Sequence, residues 1–140
     1  MEAMNIIEEV RSLDLPLGEY VVVGSGILAA KGLRRTEDVD IVVSPTLFKK
    51  YRALGWEQMP WTYEKKGQIY LKKGIFELYL DVNCKDFNPT LDELVQRAEV
   101  IDGVAFSSLE DTINFKKAYG KPKHLEDVGL IREYLNAKGA

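Results

Sequence analysis

The chain has 140 residues, of which 46% are hydrophobic and 29% charged, and its formal net charge is −3. These values are ordinary for a soluble globular protein and exclude disordered, collagen-like and low-complexity classes. The single cysteine, Cys84, excludes an internal disulfide and a cysteine-rich zinc site. No apolar stretch approaches the roughly 20 residues that a membrane-spanning helix needs, and the acidic first residues do not resemble a secretory leader. We therefore expect one cytoplasmic domain over residues 1–140, with no membrane partner.

The first half of the sequence alternates between helix and strand patterns. Apolar residues repeat at helical spacing before Pro16, which ends that pattern. The β-branched run Val21-Val22-Val23 predicts a strand that is too apolar to lie at the edge of a sheet. Thr46 is a favourable N-cap for the third helix. The elements predicted here are a helix over residues 1–12, a strand over 19–23, a helix over 27–31, a strand over 39–43 and a helix over 46–54.

The second half predicts an antiparallel group of strands followed by helices. Two Lys-Gly pairs, at 66–67 and 73–74, separate three strand-like runs and are typical of tight turns. Capping boxes that begin at Thr90 and Ser107 each predict a helix start. The elements predicted here are strands over 61–65, 68–72 and 75–82, a helix over 90–98, a hairpin over 100–106, and helices over 108–119 and 125–135. Together these elements predict an α+β fold: a mixed β-sheet flanked by helices, with a C-terminal helical pair.

Gly24 and Ser25 directly follow the first strand and precede a helix start. Backbone N–H groups at such a position bind phosphate, and glycine lets an anion approach the backbone closely. Asp38 and Asp40 open the next strand, where residues two apart point to the same face. Two neighbouring carboxylates repel each other unless a cation lies between them, and Mg²⁺ binds carboxylate and phosphate oxygens together. The pattern therefore predicts a site for a nucleoside triphosphate and Mg²⁺, with Mn²⁺ as a substitute.

A third carboxylate is expected on the strand predicted over 75–82, because a two-metal site for in-line displacement needs further ligands. Alternate residues of that strand are apolar and are expected to pack inward: Phe76, Leu78, Leu80 and Val82. The opposite face carries Glu77, Tyr79 and Asp81. We predict Asp81 as the third carboxylate, because it lies near the strand end in an apolar setting, with Glu77 as the alternative. A polar stripe that faces solvent would also explain this face.

Two other phosphate-binding patterns do not fit the sequence. Gly24-x-Gly26-x-x-Ala29 imitates a dinucleotide fingerprint, but the acid of that motif lies about 20 residues beyond the glycines, at the far end of the second strand. Asp38 lies only 12 residues after Gly26 and opens its strand. A Walker-type loop is excluded, because no Gly-Lys-Ser/Thr follows the glycines.

The pair Gly24-Ser25 and the run 34–41, which follows a short helix, resemble the signature of the nucleotidyltransferase superfamily. The form Arg34-x-Thr36-x-Asp38-Val39-Asp40 is similar to that of its small prokaryotic branch, the abortive-infection and minimal nucleotidyltransferases. The segment 108–127 resembles the C-terminal helices of the abortive-infection type, although His124 stands where an Asp is usual.

The resemblance implies a Mg²⁺-dependent enzyme that transfers a nucleoside monophosphate from a triphosphate to an acceptor hydroxyl and releases pyrophosphate. It also implies catalytic carboxylates that bind the metal, and nucleotide-binding residues from both halves of the chain. The carboxylates are Asp38, Asp40 and Asp81, and the nucleotide-binding residues are Gly24, Ser25, Arg34, Thr36, Lys116 and Lys121. In this interpretation Lys116 reaches the triphosphate, and Lys121 or Lys123 borders the site.

Simpler structural roles are open for some of these residues. Lys116 also fits a solvated helix end, and Arg34 and Thr36 also fit a brace within their loop. The alternative to an active enzyme is a catalytically inactive nucleotide-binding relative, or one component of a toxin–antitoxin pair. The acceptor expected for the enzyme is a small molecule, a tRNA end or a partner protein, and a homodimer or a cognate partner chain is the expected assembly.

Overall fold

A computed structural model gives the fold of the protein and describes residues 5–60 and 68–139. The helices in these ranges are α1 (Ile6–Arg11), α2 (Gly26–Ala30), α3 (Pro45–Ala53), α4 (Leu91–Arg97), α5 (Leu109–Tyr119) and α6 (Pro122–Gly139). The strands are β1 (Tyr20–Val23), β2 (Val39–Val43), β3 (Glu57–Pro60), β4 (Ile69–Lys73), β5 (Phe76–Tyr79), β6 (Glu99–Ile101) and β7 (Val104–Phe106). The α+β class is confirmed. None of these helices combines the length and the apolar character that crossing a membrane requires.

The strands form one mixed sheet in the order β3-β4-β5-β2-β1-β7-β6. Strand β1 pairs antiparallel with β2 and parallel with β7, and all four of its residues are buried, so the prediction that it is no edge strand is confirmed. Strand β2 pairs parallel with β5, while β3, β4 and β5 form an antiparallel meander. The β6–β7 hairpin turns at Asp102-Gly103, as the sequence predicts. Asp40 and Glu77 therefore fall on the neighbouring strands β2 and β5, Asp38 directly precedes β2, and Asp81 lies beyond the end of β5.

Both faces of the sheet are covered, and alternation along β2 decides which face the acids occupy. Ile41 packs into the larger core, together with residues of α1, α2 and α3. Val42 packs into a smaller core that includes Leu94 of α4 and Phe115 of α5. Because Asp40 lies two residues before Val42, its side chain lies on the same face as Val42. On that face α5 packs against α6, which is the expected C-terminal helical pair.

The starts of α3, α5 and α6 differ from those predicted, and the N-cap of α5 is Ser108 rather than Ser107. The N-cap of α3 is Ser44, whose hydroxyl accepts a hydrogen bond from the Leu47 amide, and Thr46 lies inside the helix. Pro45 explains the difference, because proline suits the first helical position, so the N-cap is the residue directly before the proline. For the same reason α6 begins at Pro122 rather than at residue 125. The capping box at Thr90 is confirmed, with Glu93 as its reciprocal partner.

The strands that surround the acids also differ from the prediction. Strand β5 ends at Tyr79, so the alternation predicted up to residue 82 stops early. Leu80 is 45% exposed as a result, and the expectation that it packs inward is wrong. The strand predicted over 61–65 lies outside the described residues, and β4 pairs with β3 on one side and with β5 on the other.

Candidate active site

The turn after β1 brings the backbone against an acidic side chain. Gly24 has φ +70, a left-handed conformation that favours glycine, and a Cβ added there would lie 3.3 Å from Oδ2 of Asp40. Glycine is therefore favoured both by the left-handed turn and by the close approach of the carboxylate. Gly26 has a packing role instead, because a Cβ there would collide with the Val22 side chain.

Three carboxylates from two neighbouring strands meet beside this turn. Asp38 and Asp40 lie two residues apart, and Asp40 is paired in register with Glu77 of β5. Residues paired in this way point to the same face of a sheet. Burial, and then the negative charges of Glu77 and Asp38, raise the pKa of Asp40 to about 7. The half-buried Asp40 thus lies in an excess of negative charge that a cation would relieve.

Glu77 is held by its neighbours on the sheet. The Tyr79 hydroxyl donates a hydrogen bond to Oε1 of Glu77, and Nζ of Lys72 lies 3.5 Å from Oε2. Burial, and then the charge of Asp40, raise the pKa of Tyr79, so its hydroxyl stays protonated and remains a donor. These contacts fix the Glu77 carboxylate beside Asp40.

A cationic cluster faces the acids and has Asp127 at its centre. Nζ of Lys116 lies 2.7 Å from Oδ2 of Asp127, and Nε of Arg34 lies 2.8 Å from Oδ1. Both cations also donate to the Ser25 hydroxyl, Lys116 at 3.0 Å and Arg34 at 2.7 Å. The Ser25 hydroxyl in turn donates to Oδ2 of Asp127 at 3.3 Å. The two cations exceed the single carboxylate by one positive charge, so the cluster is suited to an anion.

Burial makes this cluster rigid. The side chains of Lys116 and Asp127 are 2% and 3% exposed. Burial alone would raise the pKa of Asp127, but hydrogen bonds and charge from Lys116, and then from Arg34, lower it below its usual range. Asp127 is therefore ionised, and its two cations are held at Ser25 before any ligand binds.

Ser25 contributes its side chain rather than a helix cap. Helix α2 has only five residues, and the Ser25 hydroxyl makes no capping hydrogen bond. It bonds to Arg34, Lys116 and Asp127 instead. The groups that could bind an anion at this turn are therefore side-chain donors, Lys116 of α5 and Arg34 of the loop after α2.

Two adjoining cavities open onto these groups. One has a volume of about 370 Å³ and is lined mainly by charged and polar residues, among them Arg34, Arg35, Thr36, Asp38 and Lys123. The other has a volume of about 240 Å³ and is lined by Gly24, Lys121 and several aromatic residues. The cavities share four lining residues: Ser25, Asp40, Lys116 and His124. The larger cavity is within the range of small-molecule sites, roughly 300–1,000 Å³, and the smaller one lies just below that range.

The structure brings most of the predicted site residues together. Thr36 lines the larger cavity, while its hydroxyl donates to the Asp38 carbonyl and braces the loop. Lys116 is buried, so it is not a solvated helix end. Asp81 lies two residues beyond the end of β5, and its Oδ1 accepts a hydrogen bond from the Asn83 amide. Neither Asp81 nor Glu77 is in the lining of either cavity, but Glu77 is the acid of that segment that lies opposite Asp40.

Sequence reasoning did not single out Asp127 and His124 as site residues. Asp127 stands on the face of α6 that carries the buried Ile131, four residues later. A carboxylate on an apolar helix face needs a partner, and this signal could have pointed to a buried ion pair. His124, which stands where the resembled family has an Asp, is half-buried and lines both cavities.

The carboxylates of the site suit a divalent cation that takes its other ligands from the substrate. Among residues 5–60 and 68–139, no group of three or more His, Cys, Asp or Glu side chains is arranged to hold a metal ion by itself. Mg²⁺ commonly binds one or two protein carboxylates and takes its remaining ligands from water and substrate phosphates. Asp38 and Asp40 supply such a pair, and burial, followed by the negative charges of Glu77 and Asp38, raises the pKa of Asp40, which a bound cation would oppose.

The fold of the chain, unlike its sequence, resembles that of a known protein. No protein-family model and no curated protein sequence matches the chain. The solved structure of ANT(2")-Ia in complex with adenylyl-2"-tobramycin matches with a TM-score of 0.53 and 20% sequence identity, over 96% of this chain and 87% of that chain. The chain has the nucleotidyltransferase fold. ANT(2")-Ia is an aminoglycoside nucleotidyltransferase, and the likeness confirms the expected fold, while the finer resemblance to the abortive-infection branch stays a prediction.

Proposed function

We propose that the protein is a nucleotidyltransferase that moves a nucleoside monophosphate from a nucleoside triphosphate to an acceptor hydroxyl and releases pyrophosphate. The observation that carries the proposal is the half-buried Asp40, which lies between Asp38 and Glu77 and directly against Gly24. The cationic cluster around Asp127, with one excess positive charge, lines the larger of the two cavities together with Asp40. Nucleotidyl transfer needs both features, an acidic pair for the metal and donors for the phosphates.

The proposed roles follow from where the charges lie. Lys116, Arg34 and the Ser25 hydroxyl bind the triphosphate oxygens, and Asp38 and Asp40 hold Mg²⁺. The metal, when bound, neutralises charge on the phosphates and the leaving pyrophosphate. The acceptor oxygen bonds to the α-phosphorus as the bond from that phosphorus to the bridging oxygen breaks, and a carboxylate takes the hydroxyl proton. Fixed positions for these groups supply much of the catalysis.

Two carboxylates, Glu77 and Asp81, are candidates for the base that takes the hydroxyl proton, and Glu77 is the better placed. It lies in register with Asp40 on the adjacent strand, and two neighbours hold it in place. Asp81 lies beyond the strand end, where it accepts a hydrogen bond from the Asn83 amide. Replacement of a general base typically lowers the rate about 10²- to 10⁴-fold, so turnover by Glu77→Gln and Asp81→Asn separates the two candidates.

Calorimetric titration with ATP, GTP, CTP and UTP, with and without Mg²⁺, tests the binding step. We expect at least one triphosphate to bind in a Mg²⁺-dependent manner, and we expect the Asp38→Asn/Asp40→Asn double variant to lose that binding. Asp102→Asn, an exposed acid in the β6–β7 turn, is the control and should bind as the unchanged protein does. Absence of Mg²⁺-dependent binding in the unchanged protein contradicts the proposal.

Transfer of label from an α-labelled triphosphate tests the chemical step. Small molecules that carry hydroxyl groups, tRNA and lysate proteins are the acceptors to supply. We expect label to move to one of these classes and Glu77→Gln to bind nucleotide without transferring it. Mg²⁺-dependent binding with no transfer to any acceptor would instead favour the inactive relative, or the nucleotide-binding component of a toxin–antitoxin pair.

A further inference from the structure

The smaller cavity has an aromatic wall that no step of nucleotidyl transfer requires. Its lining includes Tyr79 on the sheet side and Phe115, Tyr119 and His124 on the side of α5 and α6. The Phe115 and Tyr119 rings lie 4.6 Å apart at 30°, and the His124 ring lies 6.0 Å from Tyr119. These rings pack on one another across the α5–α6 junction, so the wall is formed before a ligand binds.

The wall joins the phosphate-binding cluster without a break. Ser25, Asp40, Lys116 and His124 line both cavities. A ligand whose phosphates lie at Ser25 and Lys116 can therefore extend from the charged cavity into the aromatic one. A nucleotide has this two-part character, with a charged phosphate chain at one end and a flat, weakly polar ring at the other.

His124 adds a polar group to the aromatic wall. Its Nδ1 is buried and has no hydrogen-bond partner among the described residues. Burial, and then the positive charge of Lys116, lower the pKa of His124, so the ring is neutral at pH 7. A neutral imidazole offers one donor and one acceptor, which matches the polar edge of a nucleobase better than it matches a further phosphate.

We propose that the Phe115, Tyr119 and His124 side chains form the subsite that binds the nucleobase of the triphosphate, by stacking on the ring and by a hydrogen bond from or to His124. This subsite rests on the proposed nucleotidyltransferase function and extends it to base recognition. The acceptor then approaches from the charged cavity beside Asp38. Stacking of a base on an aromatic side chain contributes about 1–3 kcal/mol, which corresponds to a 5- to 150-fold change in affinity.

A comparison of triphosphates with inorganic tripolyphosphate isolates this contribution, because tripolyphosphate has no base or sugar. In calorimetric titrations with Mg²⁺, we expect Tyr119→Leu to weaken binding of the preferred triphosphate about 5-fold or more, and to leave tripolyphosphate affinity within about 2-fold. His124→Leu, on the other helix, should show the same selective loss. Unchanged tripolyphosphate binding also shows that each variant is folded.

Tyr134→Leu on α6 is the matched control, since it removes a tyrosine that packs on Lys31 and lines neither cavity. It should bind both ligands as the unchanged protein does. Equal losses for triphosphate and tripolyphosphate in the Tyr119 and His124 variants, or no loss for either ligand, overturn the subsite while the proposed function stands. A raised KM for the acceptor with unchanged triphosphate affinity overturns it in favour of an acceptor site. No binding of either ligand by the unchanged protein overturns the proposed function and the subsite together.

Discussion

Replacement of Asp40 tests the charge arrangement of the site most directly. Its pKa is raised from the ordinary 3.8 to about 7, first by burial and then by Glu77 and Asp38. Between these two pH values the folded protein holds a proton that the unfolded chain has released. The stability that this group contributes is therefore fully present below about pH 4, falls as the pH rises, and is lost above about pH 7. At about 1.4 kcal/mol for each unit of pKa, the ionised carboxylate costs about 4 kcal/mol at pH 8.

Asp40→Asn removes the ionisation and nearly keeps the shape of the side chain. In EDTA we expect this variant to be more stable than the unchanged protein by about 4 kcal/mol at pH 8 and by about 2 kcal/mol at pH 5, as measured by urea unfolding. Asp102→Asn is the control, and its stability difference should be the same at both pH values. An Asp40→Asn gain that does not grow between pH 5 and pH 8 refutes the reasoning, as does a net loss at pH 8.

Mg²⁺ extends the same experiment to ligand binding. A cation bound at Asp38 and Asp40 takes the place of the proton on Asp40 and binds only the folded state. Mg²⁺ added at pH 8 should therefore raise the urea midpoint of the unchanged protein and leave that of Asp40→Asn in place. A midpoint that rises equally in both proteins would mean that the cation binds elsewhere.

Two further substitutions test the Gly24 turn beside Asp40 and the buried ion pair between Lys116 and Asp127. Gly24→Ala should lower the free energy of unfolding in urea by roughly 1–2 kcal/mol, because its backbone is left-handed, and should also weaken Mg²⁺-dependent nucleotide binding. Gly74→Ala is the control: its φ is +59 with open space around it, so it should show the loss of stability alone. Equal nucleotide affinities in these two variants would contradict the contact between Gly24 and Asp40. Asp127→Asn leaves the buried Lys116 without its anion and should cost about 3–5 kcal/mol in urea unfolding, while the apolar double variant Lys116→Met/Asp127→Leu should regain part of that loss. A cost below about 1 kcal/mol for Asp127→Asn would show that the buried pair does not hold α5 and α6 together.

Much of the fold could be predicted because local patterns and the final packing agree. The β-branched run of β1 lies at the centre of the sheet, and the Thr90 capping box begins α4. The errors lie where tertiary contacts decide an element's end. Alternation continues through Leu80 in the sequence, but β5 stops at Tyr79, because backbone pairing with β2 and β4 ends there. Sequence periodicity carries no information about the length of the neighbouring strands.

The candidate site, like the fold, could be predicted from the sequence only in part. Gly24, Ser25 and the Asp38–Asp40 pair are close in the sequence, so spacing alone could predict that they meet. Glu77 and Asp127 come from distant segments, and their positions depend on strand register and on the packing of α6. The sequence could place Glu77 and Asp81 on one face of a strand, but only the register with β2 shows that Glu77 lies opposite Asp40.

The separation of charge within the site links nucleotide binding to cation binding. The sheet side carries Asp38, Asp40 and Glu77, and the helix side carries Lys116 and Arg34 around Asp127. A triphosphate that is attracted to the helix side brings its own negative charge towards Asp40, and a cation bound without a triphosphate has no phosphate oxygens among its ligands. Bound together, the cation neutralises the repulsion between phosphate and carboxylates while the phosphates add ligands to the cation, so each should raise the affinity for the other by the same factor. Burial first, and then the negative charges of Glu77 and Asp38, raise the pKa of Asp40, and a cation bound there would relieve the part that comes from charge.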